Sequence, residues 1–143
     1  MEVVAFCGSA RKKGNTALLL STVLEPLAEA GANTELVELA GSRLRGCTAC
    51  MTCFKEQDGT CAVKDDMLNE CVDKMRRADA VILGSPTYFA DVSTEMKALI
   101  DRSGMVGRAN DHLYKRKIGA SVVAVRRAGG IHAFDSMNHF FLI

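Results

Sequence analysis

The apolar run Glu2 to Cys7 (EVVAFC) breaks at Gly8, and the same form returns at Ala80 to Leu83 and at Ala120 to Val125. A continuous apolar run bounded by turn residues is the pattern of a strand buried on both faces. Thr34 to Leu39 (TELVEL) alternates instead, which predicts an edge strand with one wetter face. Between these runs the period lengthens to that of a helix. Leu20, Val23, Leu24 and Leu27 share a stripe that Gly31 stops, and Pro26 removes a backbone donor inside it, predicting a kink near Thr22 or an early helix end. Met67, Leu68, Cys71, Val72 and Met75 form a second stripe behind Asp65 and Asp66, either able to cap it. A third runs through Val92, Met96, Leu99 and Ile100, with Ser93 as cap, Lys97 and Asp101 spaced i,i+4, and Gly104 as stop. Ile131, Phe134, Met137 and Phe141 begin a fourth. Strands alternating with helices require right-handed crossovers and a parallel sheet covered on both faces, which is the doubly wound α/β class.

The chain of 143 residues is the size of one domain, so residues 1–143 are read as a single unit with a cysteine-rich loop at 40–64. The formal net charge of +1 gives no excess positive field to gather a polyanion, and nucleic acid is not an expected partner. No apolar run approaches a membrane span or a signal-peptide core, so a membrane is not expected either and the reading is cytoplasmic. Six cysteines in such a chain point to metal or redox chemistry rather than to a disulfide framework.

Ligands of an open α/β sheet sit outside the carboxyl ends of its strands. The first of these turns, Gly8-Ser9-Ala10-Arg11-Lys12-Lys13-Gly14-Asn15-Thr16, sets glycines, hydroxyls, an amide and cations at the mouth of a helix, where free N–H groups attract an anion. Asn15 follows Gly14 where a P-loop has lysine, and there is no G-x-G-x-x-G, so a single terminal phosphate suits the turn better than a triphosphate. A strand-to-helix turn capped by Ser9 or Asn15 is the competing reading. After the third strand, Ser85-Pro86-Thr87-Tyr88-Phe89-Ala90-Asp91 offers a stiff turn and two aromatics for a planar heterocycle, or simply core residues. After the fourth, Arg126-Arg127-Ala128-Gly129-Gly130 allows close backbone approach, as an ordinary loop also would.

The long connection from Ala40 to Lys64 carries Cys47-x2-Cys50-x2-Cys53-x7-Cys61. Three thiolates at successive x2 spacings can turn toward one point and a fourth can complete the ligands of a 4Fe-4S cluster. Tetrahedral zinc usually takes two C-x2-C pairs, but zinc and free, disulfide-exchanging thiols both stay open. Arg43, Arg45 and Lys55 are the cations expected to offset the negative sulfurs. Cys7 and Cys71 read as small buried hydrophobes, and His112, His132 and His139 as surface or capping residues.

In order and spacing, GSARKKGNT, SPTYFADVSTEMKALIDR and RRAGG resemble the NADPH-dependent FMN reductase family of the flavodoxin-like fold, and within it the iron-sulfur flavoproteins. The resemblance implies that Ser9, Arg11, Gly14, Asn15 and Thr16 hold the FMN phosphate. Pro86, Thr87, Tyr88 and Phe89 would line the isoalloxazine, with Ala128, Gly129 and Gly130 on its other edge. Cys47, Cys50, Cys53 and Cys61 would hold a 4Fe-4S cluster. It also implies a ferredoxin-like donor or NAD(P)H, a small acceptor such as an oxygen species or a quinone, and a homodimer or homotetramer. No side chain need act as a nucleophile, since the chemistry belongs to the flavin. Three function classes follow: electron transfer through cluster and FMN, an NAD(P)H-dependent FMN or quinone reductase without a cluster, and a non-catalytic FMN carrier or zinc-stabilised interaction module. A flavodoxin-like sheet runs 2-1-3-4-5. Only four strands are expected here, so the fifth strand and its helix are absent from the chain as read.

Overall fold

In the computed structural model, which describes residues 1–143, nine elements follow one another: β1 (Glu2–Cys7), α1 (Asn15–Glu29), β2 (Asn33–Glu38), α2 (Thr52–Glu56), α3 (Leu68–Arg77), β3 (Ala80–Pro86), α4 (Thr94–Ala109), β4 (Ile118–Ala124) and α5 (Gly130–Leu142). The strands form one parallel sheet in the order β2-β1-β3-β4, the first four positions of a flavodoxin-like sheet. Phe6 of β1 lies between Val37 of β2 and Leu83 of β3. As the alternating pattern of Thr34 to Leu39 predicts, β2 is an edge; β4 is the other edge and none of its residues is buried, against the two-sided burial expected of Ala120 to Val125.

Successive side chains of a strand point to opposite faces, and the two cores follow from that rule. Val4, Phe6, Val81 and Leu83 enter the larger core, under α3, α4 and α5. Val3, Ala5, Cys7, Ala80 and Ile82 meet Leu20 and Leu24 of α1 in the smaller one. Cys7 and Cys71 lie in these cores as expected, and burial pushes both thiols up, Cys71 to about 12. On α1 the outward residues Leu18, Leu19 and Val23 stay exposed.

Several local expectations change. The helix through Pro26 does not end early: it continues to Glu29, because a proline in the last turn costs a single amide bond. β3 extends past Leu83, since Gly84, Ser85 and Pro86 keep pairing with Val122, Val123 and Ala124. Gly104 does not stop its helix, and α4 carries on to Ala109. Gly104 packs beside Phe140 of α5, and a Cβ there would meet that ring at an ordinary contact distance of 3.7 Å. Ser93 caps α4 as predicted, accepting from the Met96 N–H at 3.1 Å, and Lys97 pairs with Asp101. The formal cap of α3 is Met67, but Asp66 accepts the Leu68 N–H at 3.2 Å, so one of the two proposed aspartates satisfies that end.

Candidate functional site

The strand order turns back at β1, so the connections leaving β1 and β3 diverge at their carboxyl ends, the place where open α/β sheets bind ligands. The turn after β1 sits hard against the start of α4. A Cβ on Gly8 would lie 2.8 Å from Ser93 Oγ and 2.9 Å from Met96 Cβ, so only glycine fits. Ser9 is buried, and its hydroxyl donates to Arg11 O at 3.2 Å and accepts the Arg11 N–H at 3.1 Å, which folds the turn on itself. Neither Ser9 nor Asn15 caps α1. The cap residue is Gly14, and no side chain accepts the first helical N–H groups. Thr16 is buried, while Arg11, Lys12, Lys13 and Asn15 are exposed around the opening. A free helix N-terminus with three exposed cations in the turn before it can attract an anion.

The connection after β3 closes as a tight hairpin. Tyr88 and Asp91 pair through N–H to carbonyl bonds of 2.9 and 3.3 Å, with Phe89 and Ala90 both left-handed at φ 49° and 67°. Two left-handed residues between the paired ends describe a type I′ turn, which is strained when neither is glycine. Phe89 stands fully exposed at its tip and Tyr88 is 43% exposed, so neither ring is taken up by the core. Pro86 and Thr87 are half-buried, and the Thr87 N–H reaches Ala124 O at 3.1 Å.

The connection after β4 presses on this hairpin. Gly129 has φ 85°, and a Cβ there would lie 2.4 Å from Ala90 Cα. Asp91 fastens the two together, accepting from Ser136 Oγ at 3.3 Å and facing His132 Nε2 at 3.3 Å. The Val92 N–H, then His132 and Ser136, hold its carboxyl below the usual carboxylate range. Thus His132 has a partner on the surface, while His112 and His139 are exposed.

The cysteine loop is an ordered unit stapled to α3 and α4. Ala49 and Met51, left-handed at φ 52° and 58°, turn the chain sharply on either side of Cys50, and the short α2 follows. Gln57 Nε2 donates to Ala109 O at 3.0 Å, and the Gly59 N–H to Asn110 Oδ1 at 2.9 Å. Asn69 brackets Cys61, accepting its N–H at 2.7 Å and donating to its carbonyl at 3.1 Å. The result is one cavity, of about 20 Å³, that Cys47, Cys50, Cys53 and Cys61 all line. The donor set suits an iron-sulfur cluster, in which each cysteine binds a different iron, and no three His, Cys, Asp or Glu side chains are gathered to hold one metal ion. The Thr52 hydroxyl lowers the exposed Cys50 thiol, whereas burial raises that of Cys53.

The cation beside these sulfurs is not among those expected. Arg45 is exposed and paired with Asp65. Arg102 of α4, 1% exposed, donates Nη2–H to Cys61 Sγ at 3.3 Å and lines the cavity. Its signal in the sequence is a charge on the stripe Leu99, Arg102, Val106, which is otherwise apolar at helical spacing. The same helix therefore touches both regions, with Ser93 and Met96 under the first turn and Arg102 at the cysteines. A cleft of about 910 Å³ between α4, β4 and α5, which Cys47 and Ala49 of the cysteine loop also line, is bordered by none of the three turns and is mostly apolar, with Ile100, Tyr114, Phe140 and Phe141 in its walls.

A profile of the NADPH-dependent FMN reductase family matches residues 1–143. The chain is 40% identical to an iron-sulfur flavoprotein of Methanocaldococcus jannaschii over 100% of this chain and 72% of that one. It is 36% identical to an iron-sulfur flavoprotein of Archaeoglobus fulgidus, over 91% of this chain and 62% of that one. It thus spans about two thirds of the length of these relatives. Among solved structures it is similar in fold to an NAD(P)H:quinone oxidoreductase from Methanothermobacter marburgensis, with TM-score 0.70 and 19% identity over 99% of this chain and 74% of that one. No helix is long and apolar enough to cross a membrane.

Proposed function

We propose a function from one premise: the chain belongs to the NADPH-dependent FMN reductase family, a family of flavin-dependent oxidoreductases. In this reading it binds FMN in the crevice beside β1 and β3 and a 4Fe-4S cluster at the four cysteines, and passes electrons from a reduced donor to a small acceptor. FMN exchanges one or two electrons and the cluster single ones, which suits a pair joining a one-electron donor to a two-electron acceptor.

The chain's own residues bind and orient. The N–H groups at Asn15 and Thr16, with Arg11 beside them, receive the phosphate, while the Gly14 N–H, which donates to Arg11 O at 3.2 Å, and the Ser9 hydroxyl keep the turn in shape. Pro86, Thr87, Tyr88 and Phe89 lie along one side of the ring system, where the exposed rings of Tyr88 and Phe89 can cover it. Ala128, Gly129 and Gly130 line its other edge, held against the hairpin by Asp91 and Ser136. Cys47, Cys50, Cys53 and Cys61 ligate the cluster. The donor is ferredoxin-like or NAD(P)H, and the acceptor an oxygen species or a quinone.

The observation that carries this reading is that four cysteines spread between positions 47 and 61 all line one cavity. Supporting it, relatives at 36 and 40% identity are iron-sulfur flavoproteins. A second reading is an NAD(P)H-dependent FMN or quinone reductase without a cluster, in keeping with the family's description as an NADPH-dependent FMN reductase. Anaerobic purification separates them, through an absorption spectrum with flavin, iron, acid-labile sulfide and zinc per chain. One FMN with about four irons and four sulfides is the expected result. FMN without iron gives the second reading, and zinc without FMN gives a metal-stabilised interaction module. Light scattering of the same sample tests the homodimer or homotetramer.

A further inference from the structure

Arg102 is the one charged residue among the fully buried residues of the chain, and its partner Asp66 has an equally buried side chain. Arg102 sits on the buried stripe of α4, where a leucine or methionine would pack. The protein surrounds it with acceptors. Asp66, its side chain 1% exposed, forms a two-armed ion pair with Nη1 and Nη2. Arg45 O accepts from Nη1 at 3.2 Å, and Val63 O from Nη2 at 3.4 Å. Cys61 Sγ takes a further contact at 3.3 Å from Nη2. Burial alone would raise the Asp66 carboxyl, but the guanidinium's hydrogen bonds outweigh it and hold that group below the usual carboxylate range.

One atom is left over. Arg102 Nε is buried and has no partner, although buried N–H groups are nearly always satisfied. The cavity that Arg102 lines is the one lined by the four cysteines.

We propose that Arg102 is a positioning residue of the cysteine centre, fixing Cys61 through Nη2 and giving its unpartnered Nε–H to a sulfur of the cluster that the cysteines hold. The inference rests on the cluster reading above and adds to it the residue that sets the cluster's charge environment. An arginine suits this role because its planar fork can hold Asp66 with one edge while the remaining N–H groups face elsewhere, which the single ammonium of lysine cannot do. Hydrogen bonds and positive charge at the sulfurs stabilise the reduced, more negative state of a cluster. Arg102 therefore raises the cluster's reduction potential, and the loss of its N–H groups makes the cluster harder to reduce.

The test compares the wild-type chain with Arg102→Lys, which keeps the charge and loses the fork, and with the pair Asp66→Asn/Arg102→Gln, which leaves no unpaired buried charge if the lysine variant fails to fold. Each is reconstituted anaerobically with iron and sulfide. Iron and sulfide per chain, FMN affinity and the potentials of cluster and flavin are then measured, and amide exchange over residues 58–66 is followed in the metal-free chain. The expected result is a cluster potential shifted to more negative values in both variants, with flavin affinity and flavin potential unchanged and faster exchange in the metal-free loop. A cluster potential equal to that of the wild type in a folded variant overturns the proposal and leaves the cluster reading intact. A wild-type chain that takes up no iron and sulfide overturns both.

Discussion

The turn after β1 and the cysteine loop are built in opposite ways. The turn takes its geometry from backbone and fold. It lies where the strand order reverses, at the mouth of an uncapped helix, and its one internal side-chain fastening is the Ser9 hydroxyl. The cysteine loop follows β2, and its shape comes from side chains on other elements: Asn69 of α3, Arg102 of α4 and Asn110 just beyond it. A site for an anion can be supplied by peptide N–H groups alone, so the fold nearly provides it. A site for sulfur ligands must be held by partners chosen one at a time, and the cost is a buried ion pair.

The contrast can be broken most severely at Cys50. Its side chain is exposed and a serine oxygen can still accept from Thr52, so Cys50→Ser should change unfolding free energy by less than about 0.5 kcal/mol. Iron and sulfide should nevertheless fall to near zero on reconstitution while FMN occupancy stays at the wild-type value. Loss of the flavin as well would mean that the two regions are one site.

Next in size is Arg102→Met. Removing one partner of a buried ion pair strands the other, and about 3–5 kcal/mol of stability should be lost in urea unfolding. The pH dependence follows from Asp66. Its folded pKa is depressed, so its stabilising contribution is complete above the usual carboxylate value and is lost as pH falls through the lower, folded one. Tm should drop on acidification below about pH 4, more steeply in the wild type than in Asp66→Asn. Parallel curves would show that the pair contributes nothing there.

In the first turn the side chains are exposed, and the double change Arg11→Ala/Asn15→Ala should leave Tm within a few degrees of the wild type. By fluorescence titration its Kd for FMN should rise by roughly tenfold to a hundredfold, the loss of one or two hydrogen bonds to a charged group. An unchanged Kd would move the phosphate elsewhere. The smallest effect is expected in the hairpin. Ala90→Gly relieves one left-handed residue and should raise stability by about 0.5 kcal/mol. A fall in FMN affinity alongside it would mean that the strained turn prepares the crevice.

These two constructions also explain what a reader of the sequence can find. The strand runs, the first turn and the cap at Ser93 are local, each written within a few neighbouring residues, and the structure has them where the pattern puts them. Cysteine spacing announces a sulfur site but not its counter-ion. Arg43, Arg45 and Lys55 are near in sequence, whereas Arg102 is 41 residues from Cys61 and is brought there by packing. Gly104 misleads for a related reason. A glycine reads as a stop when taken alone, yet here its φ is helical and the packing of α4 carries the helix on to Ala109. The left-handed turns at Ala49, Met51, Phe89 and Ala90 occupy residue types that carry no turn signal, and surrounding contacts impose them.

From its cap at Ser93 to Arg102, α4 runs Thr94-Glu95-Met96-Lys97-Ala98-Leu99-Ile100-Asp101-Arg102 without a glycine or proline, and its two glycines come only afterwards. Nine residues of unbroken helix make a rod of roughly 13 Å. One end seats the first turn and the other grips the cysteine loop, so the helix acts as a gauge block between them. Movement within either loop leaves that spacing unchanged. To alter it, the chain must gain or lose residues in this segment, and each full turn changes the spacing by about 5.4 Å.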